Sequence, residues 1–177
     1  MNLNDIMKRQ TDLNIPLIID ISRYTDKIRN ILLVDSSVNQ YEKLADNVND
    51  STLSIVYSRF STYTELLDIL NNENLINVNR VGIVFDNDLL VNTKYFMGLE
   101  FFFSNDDIKD NVNEKNYSYG LQMMIKIIRD KQIKNLDFLA CNTLLYENWK
   151  LYYKLLSDKT SVIIGATNNT AGNIQYG

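Results

Sequence analysis

The sequence predicts an α/β domain, a three-layer α/β/α sandwich around a mainly parallel sheet. Three observations predict it. Short uninterrupted apolar runs, Ile31 to Val34 and Val81 to Phe85 among them, are the mark of strands buried on both faces. These runs end in polar turn residues, Asp35-Ser36-Ser37 after the first and Asp86-Asn87-Asp88 after the second. Between the runs lie segments of helical length with helical apolar spacing, and such alternation calls for right-handed crossovers over a parallel sheet.

Taken in order, residues 1–28 form an N-terminal arm, whose Leu3, Ile6, Met7, Leu13, Leu17, Ile18 and Ile21 suit one or two short helices interrupted near Pro16. Ile31 to Val34 is the first strand. Ser37 and Gln40 have the spacing of a capping box, so a helix is expected next, burying Tyr41 and Leu44. Leu53 to Tyr57 is the second strand. Thr62 and Glu65 repeat the capping-box spacing, Leu66, Leu67, Ile69 and Leu70 fill the helix, and the polar run Asn71 to Asn74 closes it.

Val81 to Phe85 is the third strand, and the aromatic stretch Tyr95 to Phe103 reads as a strand pair bent at Gly98. Leu121, Met124, Ile125 and Ile128 recur at helical spacing. Leu136 to Ala140 is a strand arriving at Cys141-Asn142, followed by a helix over Glu147 to Ser157, a strand over Ser161 to Gly165 and a polar loop from Thr167 to Asn173. No repeat or break in composition marks a second domain: 1–28 is the arm and 29–177 the domain.

Composition narrows the function. The chain has 177 residues, 45% hydrophobic and 23% charged, an ordinary balance for a folded domain. Its 18 basic and 22 acidic side chains are interspersed, so no basic stripe is present to neutralise a phosphate backbone, and nucleic acid is not an expected partner. No apolar stretch reaches the length of a membrane span and no signal-peptide core is visible, so the expected location is inside a cell or within an assembled particle. The bias toward Asn, Ile, Lys, Asp and Tyr, with a single Pro, is that of an AT-rich genome. One Cys and no His leave no disulfide and no zinc-ligand set. The sequons at Asn49, Asn116 and Asn168 are what an Asn-rich chain produces by chance.

Three segments carry a resemblance. Ile31-Leu32-Leu33-Val34-Asp35-Ser36-Ser37-Val38 with Tyr41 and Leu44, then Phe138-Leu139-Ala140-Cys141-Asn142, then Ile163-Ile164-Gly165-Ala166-Thr167 with Asn169-Thr170-Ala171-Gly172, stand in an order that resembles the DUF4347 family. That family is similar to the caspase, gingipain and CHAT group of cysteine peptidases. The resemblance implies a caspase-like, Rossmann-like topology, with a catalytic histidine after one strand and a catalytic cysteine after the next principal one. It also implies a closing Gly-Asp-Trp segment where this sequence ends at Tyr176-Gly177, so a longer protein is expected.

The sequence departs from that pattern where chemistry is concerned. In place of the family's Ser-His-Gly it reads Phe85-Asp86-Asn87, so Asp86 stands at the histidine position. A carboxylate is a poor substitute for an imidazole in proton transfer near neutral pH, and its charge opposes ionisation of a nearby thiol. No catalytic residue is therefore expected, and Cys141 and Asp86 are read as vestigial.

Cys141 reads first as a small packing residue. The alternative is a ligand crevice at the carboxyl ends of the strands, built from Asp35, Ser36, Asp86, Cys141 and Asn142, and serving an enzyme or small-molecule binder. Asp86, Asp88, Asp106, Asp107 and Asp110 offer oxygen ligands but lack EF-hand spacing, and Gly165 and Gly172 lack a P-loop lysine; neither a metal nor a cofactor is expected. Trp149, Tyr152, Tyr153, Leu155 and Leu156 read as core. Tyr95, Phe96, Phe101, Phe102 and Phe103 are the interface candidates, because three consecutive Phe in a strand cannot face one side. The expected function is a non-catalytic, pseudo-peptidase-like module for structure or protein interaction, self-association included, in an assembly such as a virus particle.

Overall fold

Six strands in the order β1-β3-β2-β4-β5-β6 form the sheet of the computed structural model, which describes residues 18–19, 28–58, 61–72, 75, 77–85, 102–109 and 112–168. The strands are β1 (Ile18–Ile19), β2 (Asn30–Asp35), β3 (Thr52–Tyr57), β4 (Arg80–Val84), β5 (Asn135–Leu139) and β6 (Ile163–Ala166). β2 to β6 are mutually parallel, and β1 pairs antiparallel with β3. Among the described residues the α-helices are α1 (Tyr41–Asp46), α2 (Tyr63–Asn72), α3 (Tyr119–Asp130) and α4 (Glu147–Thr160). The α/β architecture is thus the expected one. At Ile18 and Ile19 the arm departs from its helical expectation, because the outer edge of β3 offers backbone groups that an antiparallel strand satisfies.

The two faces of the sheet are covered unequally. Register places Leu53, Ile31, Val81 and Leu136 in one row and Ile55, Leu33, Ile83 and Phe138 in the next, all on the first face. α2, α3 and α4 pack on that face and contribute Leu70, Leu121, Ile125, Trp149 and Leu156 to one continuous core. On the second face a small cluster of Val34, Ala45 and Val56 lies under α1. Right-handed crossovers account for the division. The step from β2 to β3 runs one way across the sheet, and the later steps, to β4, β5 and β6, run the other way, so of the four described helices α1 falls on the second face.

Local chemistry sets the helix starts. The backbone N–H of Glu65 donates to Thr62 Oγ1 at 3.2 Å, and that of Thr62 donates to Glu65 Oε2 at 2.9 Å, the reciprocal capping box read from the sequence. α3 is capped by Ser118, whose Oγ accepts from the N–H of Leu121. α1 is not capped as expected. Ser37 gives both its N–H and its hydroxyl to Asp35 Oδ1, at 2.8 and 2.7 Å, and Gln40 enters the helix at φ 59° without a side-chain cap. A buried acceptor two residues upstream outcompetes the helix end for the serine, a turn such residues commonly make.

The aromatic core corrects another expectation. Phe102 and Phe103 are fully buried, not interfacial. Phe103 stacks on Tyr152 with ring centroids 4.4 Å apart, and Phe102 lies 5.2 Å from Phe85. Neither residue is in a strand, so the period-two rule that would separate consecutive side chains does not act there. Tyr95, Phe96 and Phe101 lie outside the described residues. Trp149, Tyr152 and Tyr153 belong to the core, as their helical spacing indicates. Lys131, also buried, donates from Nζ to Leu70 O and Asn71 Oδ1 and so ties the end of α3 to the last turn of α2.

Candidate functional site

The carboxyl ends of the strands hold four of the five crevice candidates, on β2 and β5. Strand order leaves β4 between β2 and β5, so Asp35 and Cys141 leave strands about 10 Å apart, two inter-strand spacings. Asp35 ends β2 and is buried; its Oδ1 is occupied by the two bonds from Ser37. Ser36 is half-buried, and its N–H continues the ladder to Tyr57 O at 2.8 Å. Beside Asp35 the Tyr57 hydroxyl donates to Val84 O at 3.1 Å. Burial, and then the Asp35 charge, hold that hydroxyl well above its ordinary titration range.

Cys141 and Asn142 follow β5 and are both half-buried. Asn142 takes a left-handed conformation, φ 57°, which turns the chain into a short 3-10 helix over Thr143–Leu145 and then into α4. Asp86 lies outside the described residues, as do Asp88 and Asp110. Asp106 is exposed and pairs with Lys109. Asp107 is buried and accepts from the N–H of Ser104 and from both the N–H and the hydroxyl of Ser118. Its carboxylate staples the loop after Phe103 to the start of α3. Among the described residues no group of three or more acidic, Cys or His side chains is placed to hold a metal ion.

A different region, on the second face of the sheet, is chemically more open. There the register aligns Asn30, Arg80, Asn135 and Ile163 in one row, Leu32, Gly82, Asp137 and Gly165 in the next, and Val34, Val84 and Leu139 in a third. Among the described residues α1 is the helix on this face, where it packs on β2 and β3; toward β6, Leu139 is 38% exposed and Ile163 66%. The result is an open groove with Leu32, Gly82 and Leu139 in its floor and Asn30, Asn79, Arg80 and Asp137 around it. Arg80 Nε stands 3.4 Å from Asp137 Oδ2 across the groove. Gly82 keeps the floor low, since a Cβ there would press on Leu32 and Leu139 at 3.1 Å from each.

No family model, curated protein or solved structure matches this chain. Its chemistry is therefore read from its own residues. The groove was not among the sequence candidates. A signal was present in β5, where Asn135, Leu136, Asp137 and Phe138 alternate polar and apolar, the pattern of a strand buried on one face only. Among the described residues no helix is long and apolar enough to cross a membrane.

Proposed function

We propose that this protein is a non-catalytic interaction module, a pseudo-peptidase-like scaffold that docks another protein on the second face of its sheet. The observation that carries the reading is the uneven cover of that sheet. Parallel sheets are stable with both faces covered, yet among the described residues a six-residue helix covers one side of the second face while Leu139 and Ile163 are exposed. The pseudo-peptidase part rests on the resemblance to the DUF4347 family, on Cys141 following β5, and on the lack of any histidine in the 177 residues. Without an imidazole the thiol has no general base of the kind Cys peptidases use. The proposal extends to a role inside a larger assembly, a virus particle for example.

The test is a double charge insertion, Leu139→Glu with Ile163→Glu, in a chain whose circular dichroism stays native. Loss of association, read by light scattering and cross-linking, supports the reading. Association that survives the double variant but is lost in Cys141→Ser refutes it and returns attention to the strand-end crevice. Rapid alkylation of Cys141 in the native protein at neutral pH also favours an enzyme, whereas protection until unfolding favours a packing role.

A further inference from the structure

We infer that the occupant of the second face is a second copy of this chain, docked by an isologous contact centred on Arg80 and Asp137; the inference rests on the interaction-module reading. An isologous contact brings one patch against itself, so a patch of net charge repels its own copy. The chain as a whole carries a net charge of −4, which opposes association with a copy. The groove is different. Among the described residues that line it, Arg80 and Asp137 are the charged ones, one of each sign, and the others are neutral or apolar.

The two charges are also ordered. Arg80 lies on β4 and Asp137 on β5, with side chains 58% and 21% exposed, so the patch has a positive and a negative side. A two-fold axis through the point between them sets each Arg80 against the other copy's Asp137 and turns two exposed pairs into one four-membered network. Leu139, on the carboxyl side of the pair, and Ile163, toward the amino ends of the strands, supply apolar flanks that water leaves on docking. Gly82 and Gly165 flank Asp137 in its row, and Gly165 leaves the room that the Asp137 carboxylate occupies beside Arg80.

The experiment is a mass measurement on the full chain by light scattering across a dilution series, with four variants. The wild type is expected at twice its 20.6 kDa mass, with dissociation on dilution. Arg80→Asp alone and Asp137→Arg alone each place like charges in the contact, and about a tenfold or greater loss of dimer affinity is expected from either. An equimolar mixture of the two restores the dimer, because each copy then supplies what the other lacks. Leu139→Glu with Ile163→Glu is monomeric and serves where a charge reversal fails to fold. A wild-type dimer that none of these variants weakens overturns the proposal. So does a wild-type monomer at every concentration, and bis-ANS then separates the two levels of inference. Dye bound by the wild type and not by Leu139→Glu with Ile163→Glu leaves an interaction face with some other protein as its occupant; no dye bound by either overturns that reading as well.

Discussion

The carboxylate of Asp137 fills the space above Gly165: a Cβ built on the glycine would collide with Oδ1 and stand 3.1 Å from Cγ. The two residues are register neighbours on β5 and β6, so the missing side chain on one strand gives the acid on the next its position. From there Asp137 reaches Arg80 on β4. Three adjacent strands thus share one polar arrangement on the second face, and the absence of a side chain is part of it.

Gly165→Ala is expected to push Asp137 off this position and lower stability by about 1–3 kcal/mol, the usual cost of overpacking. In an Asp137→Ala background the same substitution has room, and its cost falls toward zero. Urea midpoints of the four chains of this cycle check the coupling.

Phe103→Ala is expected to cost about 3–5 kcal/mol, since the ring is fully buried and stacked on Tyr152. An interfacial phenylalanine would instead leave monomer stability nearly unchanged. Chemical unfolding of the variant distinguishes the two, and the core position predicts the large loss.

Thr62→Ala removes the acceptor for the Glu65 N–H and frees half of the capping box at the start of α2. The expected loss is about 1 kcal/mol. Gln40→Ala, at the start of α1, removes no helix-capping bond, and its unfolding midpoint is expected to move less than that of Thr62→Ala.

Alkaline pH is expected to destabilise the fold. Burial raises the hydroxyls of Tyr57, Tyr63 and Tyr152 well above their ordinary value of 10.0, with the Asp35 charge adding at Tyr57, and Tyr153 and Asp107 adding at Tyr152. Above pH 10.0 the unfolded chain gives up these protons while the folded chain keeps them. Unfolding then releases protons, so stability is level below that pH and falls as pH rises above it. The slope approaches about 4 kcal/mol per pH unit when all three ionise only on unfolding. Tyr153, whose hydroxyl is also raised by burial, adds to this slope, and in Tyr152→Phe the slope drops by about 1.4 kcal/mol per pH unit. At neutral pH the same variant is expected to be neutral or slightly stabilising, because the Tyr152 hydroxyl is buried without a hydrogen-bond partner among the described residues. Urea titrations at neutral pH and across pH 10 to 11 measure both effects.

The expectations that came true rest on local chemistry. Apolar runs such as Ile31 to Val34 and Val81 to Phe85 are strands because little else buries four or five consecutive apolar residues in a short span. Thr62 with Glu65 marks a helix start because the capping box closes within four residues. The same spacing misled at Ser37 and Gln40, where the buried Asp35 accepts from Ser37 first. Phe102 and Phe103 misled because a strand was assumed where the backbone is not extended into one, and both rings enter the core.

By itself the sequence determined the α/β class and most strand positions, and it excluded a Cys-His dyad within the chain, because these depend on residue identity and on periods of two to four residues. The tertiary structure decided what depends on which strands are neighbours. Strand order separates Asp35 from Cys141, and it brings Arg80, Asp137 and Gly165, which lie up to 85 positions apart, into adjacent places on one face. It also decided that the described helices beside β5 and β6 lie on one side of the sheet. Right-handed crossovers send each helix to a face according to the direction of travel across the sheet, and that direction is a property of the pairing order, which no local pattern of residues records.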